Sequence, residues 1–487
     1  MDTVVTTVKQ GRLRGRVTRQ VASFLGIPYA AAPVGDALYR APAPPEDWDG
    51  VRDALAFGPT APAPAYPSPL DRLLPDRQVP GEDFLNLNVW TPDPAAGGLP
   101  VFVWIHGGAF QHGSSAVPTY DGHAFARDGV VFVSLNYRLG VPGFGLFPDA
   151  PANRGLRDQL AALAWIQDNI AAFGGDPAQV TVAGESAGAM SITSLLSSRH
   201  GTGLFHRAIT QSGAGQGFVT AEDARLVTAE TARLLGVEPT ARAFTAVPQT
   251  DLLAAQRRVS AALGSRTGPG PFGPSVVAAA MPFPPVVDDD ILPRPPLEAI
   301  AAGAGHGVPL LTGTTTEEQR LFLVPTGVAA ALTPEALRSI ATPAVADAYA
   351  AARPGATPGD VLAAVLTDRY FRLPAIRVAE ARAGAAAATH MYEFAWRSPV
   401  QEIGACHAVE IGFALDTLGR TGSEGLTGGA APQDLARRMH AAWVAFTTHG
   451  HPGWEPYDLG RRPVMVFDHP ERGVVEDPRG GERRLWG

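Results

Sequence analysis

Short apolar runs alternate with segments of helical period along the whole chain. The strand candidates are residues 99–106 (LPVFVWIH), 130–137 (VVFVSLNY), 180–183 (VTVA), 308–313 (VPLLTG), 390–396 (HMYEFAW) and 464–467 (VMVF). Several are apolar along their full length instead of alternating, the pattern of strands covered on both faces in a parallel sheet. Between them, Leu156, Leu160, Leu163, Ile166 and Ile170 recur at three- and four-residue steps, which predicts a helix over 156–173 ended by Gly174 and Gly175. Thr220 with Asp223 predicts a capping box, and Thr333-Pro334 and Thr357-Pro358 each pair an N-cap with a first-turn proline. A late amphipathic helix is predicted over 432–448. This alternation predicts an α/β protein with a large, mostly parallel central sheet and helices on both faces. Three stretches break the pattern: 61–80 is Pro-rich, 264–285 is rich in Gly and Pro, and 421–431 is Gly-rich. The pattern resumes after each, so they read as loop insertions around an active-site opening in a single domain spanning 1–487.

Composition narrows the chemistry. The 39 basic and 47 acidic residues give a net charge of −8, which argues against a nucleic-acid partner. Lys9 is the only lysine, and Val8 precedes it, so no Gly-Lys-Ser/Thr phosphate loop exists. Thr6 stands where a Ser-x-x-Lys dyad needs its serine. The single cysteine, Cys406, excludes an internal disulfide and multi-cysteine zinc sites. The N-terminal residues have no apolar signal core, and no run of about 18 apolar residues suggests a membrane span. A cytoplasmic monomer without membrane contact is expected.

The chemistry concentrates around residues 180–194 (VTVAGESAGAMSITS). A strand runs into Gly184-Glu185-Ser186-Ala187-Gly188 and a helix follows, which is the G-x-S-x-G turn in the context it requires. The flanking glycines permit a tight turn that lifts the Ser186 hydroxyl, and the Ala187 N–H opens the helix beside it. The strand at 99–106 ends in His106-Gly107-Gly108-Ala109-Phe110, where two glycines let backbone N–H groups turn toward a ligand. Acyl transfer needs such donors for its oxyanion. A serine also needs a base and an acid, in the chain order Ser, acid, His for this arrangement. Glu317 and Glu318 both follow the strand candidate at 308–313, and spacing does not choose between them. Of the histidines that follow, His390, His407, His440, His449, His451 and His469, the pattern favours His407, in a small-residue loop before an apolar segment.

At this level the chain resembles the type-B carboxylesterases, which include bacterial para-nitrobenzyl esterases, animal carboxylesterases and cholinesterases. Glu82-Asp83-Phe84-Leu85-Asn86-Leu87-Asn88-Val89-Trp90 resembles that family's E-D-C-L-x-L-N-V-W, and GESAGAMS its G-E-S-A-G-x-x-S. FLGIPYAAAPVG, NYRLGVPGFG and AFGGDP are further matches. The resemblance implies an α/β-hydrolase fold, no cofactor or metal, and a small-molecule ester substrate, of short-chain or aromatic type. It implies Ser186 as nucleophile, Glu318 as acid, with Glu317 its neighbour, and His407 as base, from His407-Ala408-Val409-Glu410. It implies the N–H groups of Gly108, Ala109 and Ala187 as oxyanion donors, with Glu185 and Ser212 supporting the centre. Phe110, Phe272, Phe322 and Phe413 are candidates for an apolar pocket, or else core aromatics. Two departures stand out. Phe84 replaces the family cysteine, and Gln319 replaces the glycine after the acid, which would strain the turn if a positive φ were needed there. A hormone-sensitive-lipase-type hydrolase shares H-G-G and the serine elbow but lacks the E-D-x-L-x-L-N-V-W segment. A non-catalytic cholinesterase-like binding protein would have lost the triad. A metal hydrolase would need a second histidine where Ile411 stands.

Overall fold

The fully apolar runs become the interior of one sheet, and the reason is visible residue by residue. Val101, Phe102, Val103, Trp104 and Ile105 are all fully buried. Alternate side chains enter different apolar clusters, Val101, Val103 and Ile105 in one and Phe102 and Trp104 in the other. A strand buried on both faces has no polar face to show, so its sequence cannot alternate.

The computed structural model describes residues 2–265 and 270–486. Its strands are β1 (Asp2–Val8), β2 (Gly11–Thr18), β3 (Val21–Pro28), β4 (Val51–Asp53), β5 (Asn86–Thr91), β6 (Leu99–Ile105) and β7 (Val131–Leu135). They continue with β8 (Gly175–Glu185), β9 (Arg207–Gln211), β10 (Leu310–Thr315), β11 (Thr389–Phe394), β12 (Pro463–Phe467) and β13 (Gly473–Glu476). The spatial order is β1-β2-β3-β5-β7-β6-β8-β9-β10-β11-β12-β13, with β4 on β2. From β7 to β12 every neighbouring pair is parallel, whereas the meander at one end and β13 at the other pair antiparallel. The expected large, mostly parallel sheet is therefore present.

Helices Arg154–Asn169 and Ala187–Ser197 cover one face through Leu156, Leu163, Ile166, Ile192 and Leu195. Helix Gln433–His449 covers the other through Leu435, Met439, Trp443 and Phe446. A satellite cluster joins Leu337, Tyr349 and Leu362 from three helices between β10 and β11. None of the helices among the described residues is long and apolar enough to cross a membrane.

Local signals act as their chemistry dictates, with one exception. Gly174 takes φ 82° behind the helix and its closing 3-10 turn. Thr357 and Asp360 form a full capping box. Thr220 accepts the Asp223 N–H, but the Asp223 carboxylate does not return to Thr220. It accepts the N–H and hydroxyl of Ser275 instead, so only half of the predicted box exists. The 264–285 stretch includes helix Pro274–Ala279, and its residues 266–269 lie outside the described residues.

Candidate active site

The strand-to-helix turn at Ser186 is forced by close packing. β8 ends at Glu185 and the next helix begins at Ala187, which leaves Ser186 alone at φ 54°, ψ −122°. A Cβ on Gly188 would sit 2.0 Å from the Ile105 carbonyl oxygen, and one on Gly184 2.6 Å from the same atom. Only glycine lets this turn lie so close to β6. Ser186 lines a cavity, and its Oγ carries no hydrogen bond to the described residues. A strained backbone at an accessible hydroxyl is the arrangement expected where reactivity is concentrated.

The loop after β6 turns over the same cavity. Gly108, Ala109 and Phe110 take φ 111°, 52° and 60°, three successive left-handed residues. A Cβ on Gly108 would meet the His112 carbonyl oxygen at 2.2 Å, and one on Gly107 would meet Glu185 Oε2 at 2.7 Å. Such a run turns successive N–H groups to one side and makes an anion-binding concavity. The N–H groups of Gly108, Ala109 and Ala187 donate to no acceptor among the described residues.

The third element comes from two loops stitched together. Glu318 follows β10, and its Oε2 lies 2.6 Å from Nδ1 of His407. Its other oxygen accepts the N–H of Thr315 at 2.8 Å, which fixes the carboxylate. Glu317 does the stitching. It makes two hydrogen bonds to the Ala405 backbone, its own N–H donating to the Ala405 carbonyl at 2.9 Å and its side-chain Oε2 accepting the Ala405 N–H at 2.9 Å. Arg397 pairs with its other oxygen at 2.7 Å, and Arg320 holds the Glu402 carbonyl. Gln319 sits at φ −72°, ψ −10°, ordinary helical backbone, so the expected strain at this departure is absent.

His407 lies among three buried carboxylates. Oε1 of Glu185 is 3.0 Å from its Nε2, a charge contact without hydrogen-bond geometry. Glu410, one turn on, receives long contacts of 3.4 Å from Gln211 and Ser212. Burial alone pushes the His407 imidazole down, but Glu185, Glu318 and Glu410 together outweigh it and hold it at about 9. Burial raises Glu185 to about 7 and Glu410 to about 8, each helped by Glu318 and opposed by His407. Glu410 was not singled out from the sequence, although it ends the His-x-x-Glu match. Cys406, beside His407, is fully buried, and burial raises its thiol well above the ordinary value.

Ser186, His407, Glu185, Gly108 and Ala109 all line one cavity of about 230 Å³. The 61–80 loop supplies Tyr66, Leu70 and Leu74 to its wall, and the 421–431 loop supplies Leu426 and Thr427. Phe322 lines it, with its ring 5.5 Å from that of His407. Phe110, Phe272 and Phe413 do not. All three are buried in the core, Phe110 against Phe144 and Phe413 against Phe394 and Trp396. An apolar ring near a motif is drawn inward by the core unless a cavity is there to receive it.

A family model described as "Carboxylesterase family" matches residues 2–479. The chain belongs to the carboxylesterase family. It is 36% identical to the para-nitrobenzyl esterase of Bacillus subtilis, over 99% of this chain and 98% of that protein. It is 37% identical to a phenmedipham hydrolase of Pseudarthrobacter oxydans, over 96% and 94%. A solved Geobacillus stearothermophilus carboxylesterase superposes with TM-score 0.86 at 36% identity, covering 99% of this chain and all of that one. The fold is therefore the α/β-hydrolase fold of carboxylesterases. The protein is a carboxylic-ester hydrolase of the serine type, acting on small-molecule esters.

Proposed function

We propose that this carboxylesterase works through an acyl-enzyme on Ser186, with His407 as base and Glu318 as its orienting acid. The observation that carries the reading is the 2.6 Å contact from Glu318 to Nδ1 of His407, whose ring lines the same cavity as Ser186. A carboxylate only accepts, so Nδ1 carries a proton, and in the neutral imidazole Nε2 offers its lone pair to the serine. Neutral His407 takes the Ser186 proton as Oγ attacks the ester carbonyl. The developing oxyanion is received by the N–H groups of Gly108, Ala109 and Ala187, each such donor being worth about 10²–10³ in rate. The imidazolium, stabilised by Glu318, then gives its proton to the departing alkoxide, and the alcohol leaves. Water repeats the sequence on the acyl-enzyme and releases the acid. Ser186 and His407 share no hydrogen bond in this arrangement; such contacts tighten when substrate binds.

The lining of Leu70, Leu74, Leu321, Phe322, Ile411 and Leu426 suits short-chain or aromatic esters, including the nitrobenzyl type named for the Bacillus relative. Replacing Ser186 with alanine tests the reading in a p-nitrophenyl acetate assay. Turnover is expected to fall by at least about 10³-fold. Wild-type turnover in that variant would overturn the mechanism.

A further inference from the structure

The cavity holds a second histidine that the mechanism does not use. His112 lines it, one turn beyond the candidate oxyanion loop, and its N–H donates to the Gly108 carbonyl at 2.8 Å. Its ring is fixed on two sides. Nδ1 lies 2.8 Å from the Pro64 carbonyl oxygen, and the Tyr66 ring stacks on it with centroids 4.5 Å apart and planes 25° apart.

A carbonyl only accepts, so Nδ1 must carry the proton, and in the neutral ring Nε2 is a bare acceptor. Nε2 has no hydrogen-bond partner among the described residues. Burial holds the imidazole below its ordinary value against the opposing pull of the Pro64 carbonyl and Asp76, which keeps it neutral near pH 7. Tyr66 and Tyr120 also line the cavity, but a phenol hydroxyl both donates and accepts and so does not discriminate. No Lys or Arg is among the residues lining the cavity and the Glu185 carboxyl is, so apart from His407 itself nothing there would pair with an anionic substrate.

We propose that Nε2 of His112 is a specificity-determining acceptor that selects uncharged esters carrying an O–H or N–H donor a few atoms from the scissile carbonyl. The inference rests on the reading of Ser186 as nucleophile in this cavity. A substrate without the donor leaves Nε2 desolvated and unpaired, and that loss is what the enzyme senses.

Matched substrates test it. 2-Hydroxyethyl butyrate is compared with 2-fluoroethyl butyrate, and ethyl 3-hydroxybutyrate with ethyl 3-fluorobutyrate, by acid release in a pH-stat. Fluorine matches the hydroxyl in size and cannot donate. The wild type is expected to favour the hydroxyl member of at least one pair by about 3- to 10-fold in kcat/KM, the size of one neutral hydrogen bond. His112→Phe, which keeps a ring for Tyr66 to stack on, is expected to bring that ratio to about one, and His112→Gln, which keeps an acceptor, to retain part of it. No preference in either pair, or a preference that survives His112→Phe, would overturn the proposal. If His112→Phe does not fold, the wild-type ratios alone decide it. Ser186→Ala run alongside separates the two claims. Turnover remaining in that variant counts against the nucleophile, whereas an unmoved ratio with Ser186→Ala inactive counts against His112 alone.

Discussion

Oε1 of Glu185 lies 3.0 Å from Nε2 of His407, yet it receives no hydrogen bond from any donor among the described residues. The residue before Ser186 thus acts on His407 as a charge and not as a hydrogen-bond partner.

This relationship sets a pH dependence. An ionised Glu185 favours the imidazolium, which cannot act as a base, and His407 is held at about 9 by its carboxylate neighbours. Removing that charge lowers the imidazole's proton affinity, so neutral His407 becomes available at lower pH. The acid limb of kcat/KM against pH is therefore expected to move down by about one unit in Glu185→Gln. A limb that stays in place, or moves up, would contradict the assignment.

The Glu317 clamp makes a second prediction. It joins the loop of Glu318 to Ala405, two residues before His407, and Arg397 holds it in place. Glu317→Ala is expected to lower kcat by about 10- to 100-fold with little change in KM, because small displacements of catalytic groups carry costs of that order. Glu317→Asp, which keeps the charge, is expected to recover part of the loss. Equal effects on kcat and KM, or no rescue by aspartate, would show that the clamp does not position the base.

Gln319 provides a control beside Glu318. Its backbone is helical and its N–H reaches the Thr367 hydroxyl at 3.2 Å. Gln319→Gly is expected to cost up to about 1 kcal/mol of stability through chain entropy and to leave kcat within about twofold. Thermal denaturation checks it, and a gain in stability would mean that the glutamine is strained.

The contrast between Glu318 and Gln319 shows where sequence reading works. Most interior strands were legible because burial on both faces forbids alternation, as in β6, whereas β5 and β9 were missed because Asn86, Asn88 and Thr91 in one and Arg207, Thr210 and Gln211 in the other interrupt the apolar run. The serine elbow was legible because its glycines serve a purely local turn. The meander β1–β3 was not anticipated, since half-exposed strands such as Asp2–Val8 carry few long apolar runs. Spacing left Glu317 and Glu318 equivalent, because what distinguishes them is a partner about ninety residues away: one faces His407 and the other Ala405. His112 and Tyr66 carried no motif at all. Their meeting depends on a Pro-rich loop folding back over the sheet, which no local pattern records. The four phenylalanines divided for the same reason, since the core and the cavity draw on the same residue type.

Cys406 is expected to be chemically silent. It is fully buried, its thiol is pushed well above the ordinary range by burial, and the thiolate is the reactive form. Iodoacetamide at pH 8 is expected to leave the native protein unmodified and fully active, and to label it once denatured. Rapid labelling of the native protein would show that the loop holding His407 opens.

The proposed mechanism requires a covalent intermediate at Ser186. Treating the protein with a fluorophosphonate, then measuring the intact mass and mapping the peptides, tests it most directly. One adduct per chain is predicted, on Ser186, appearing as esterase activity disappears. An adduct on any other residue, or loss of activity without one, would contradict the account.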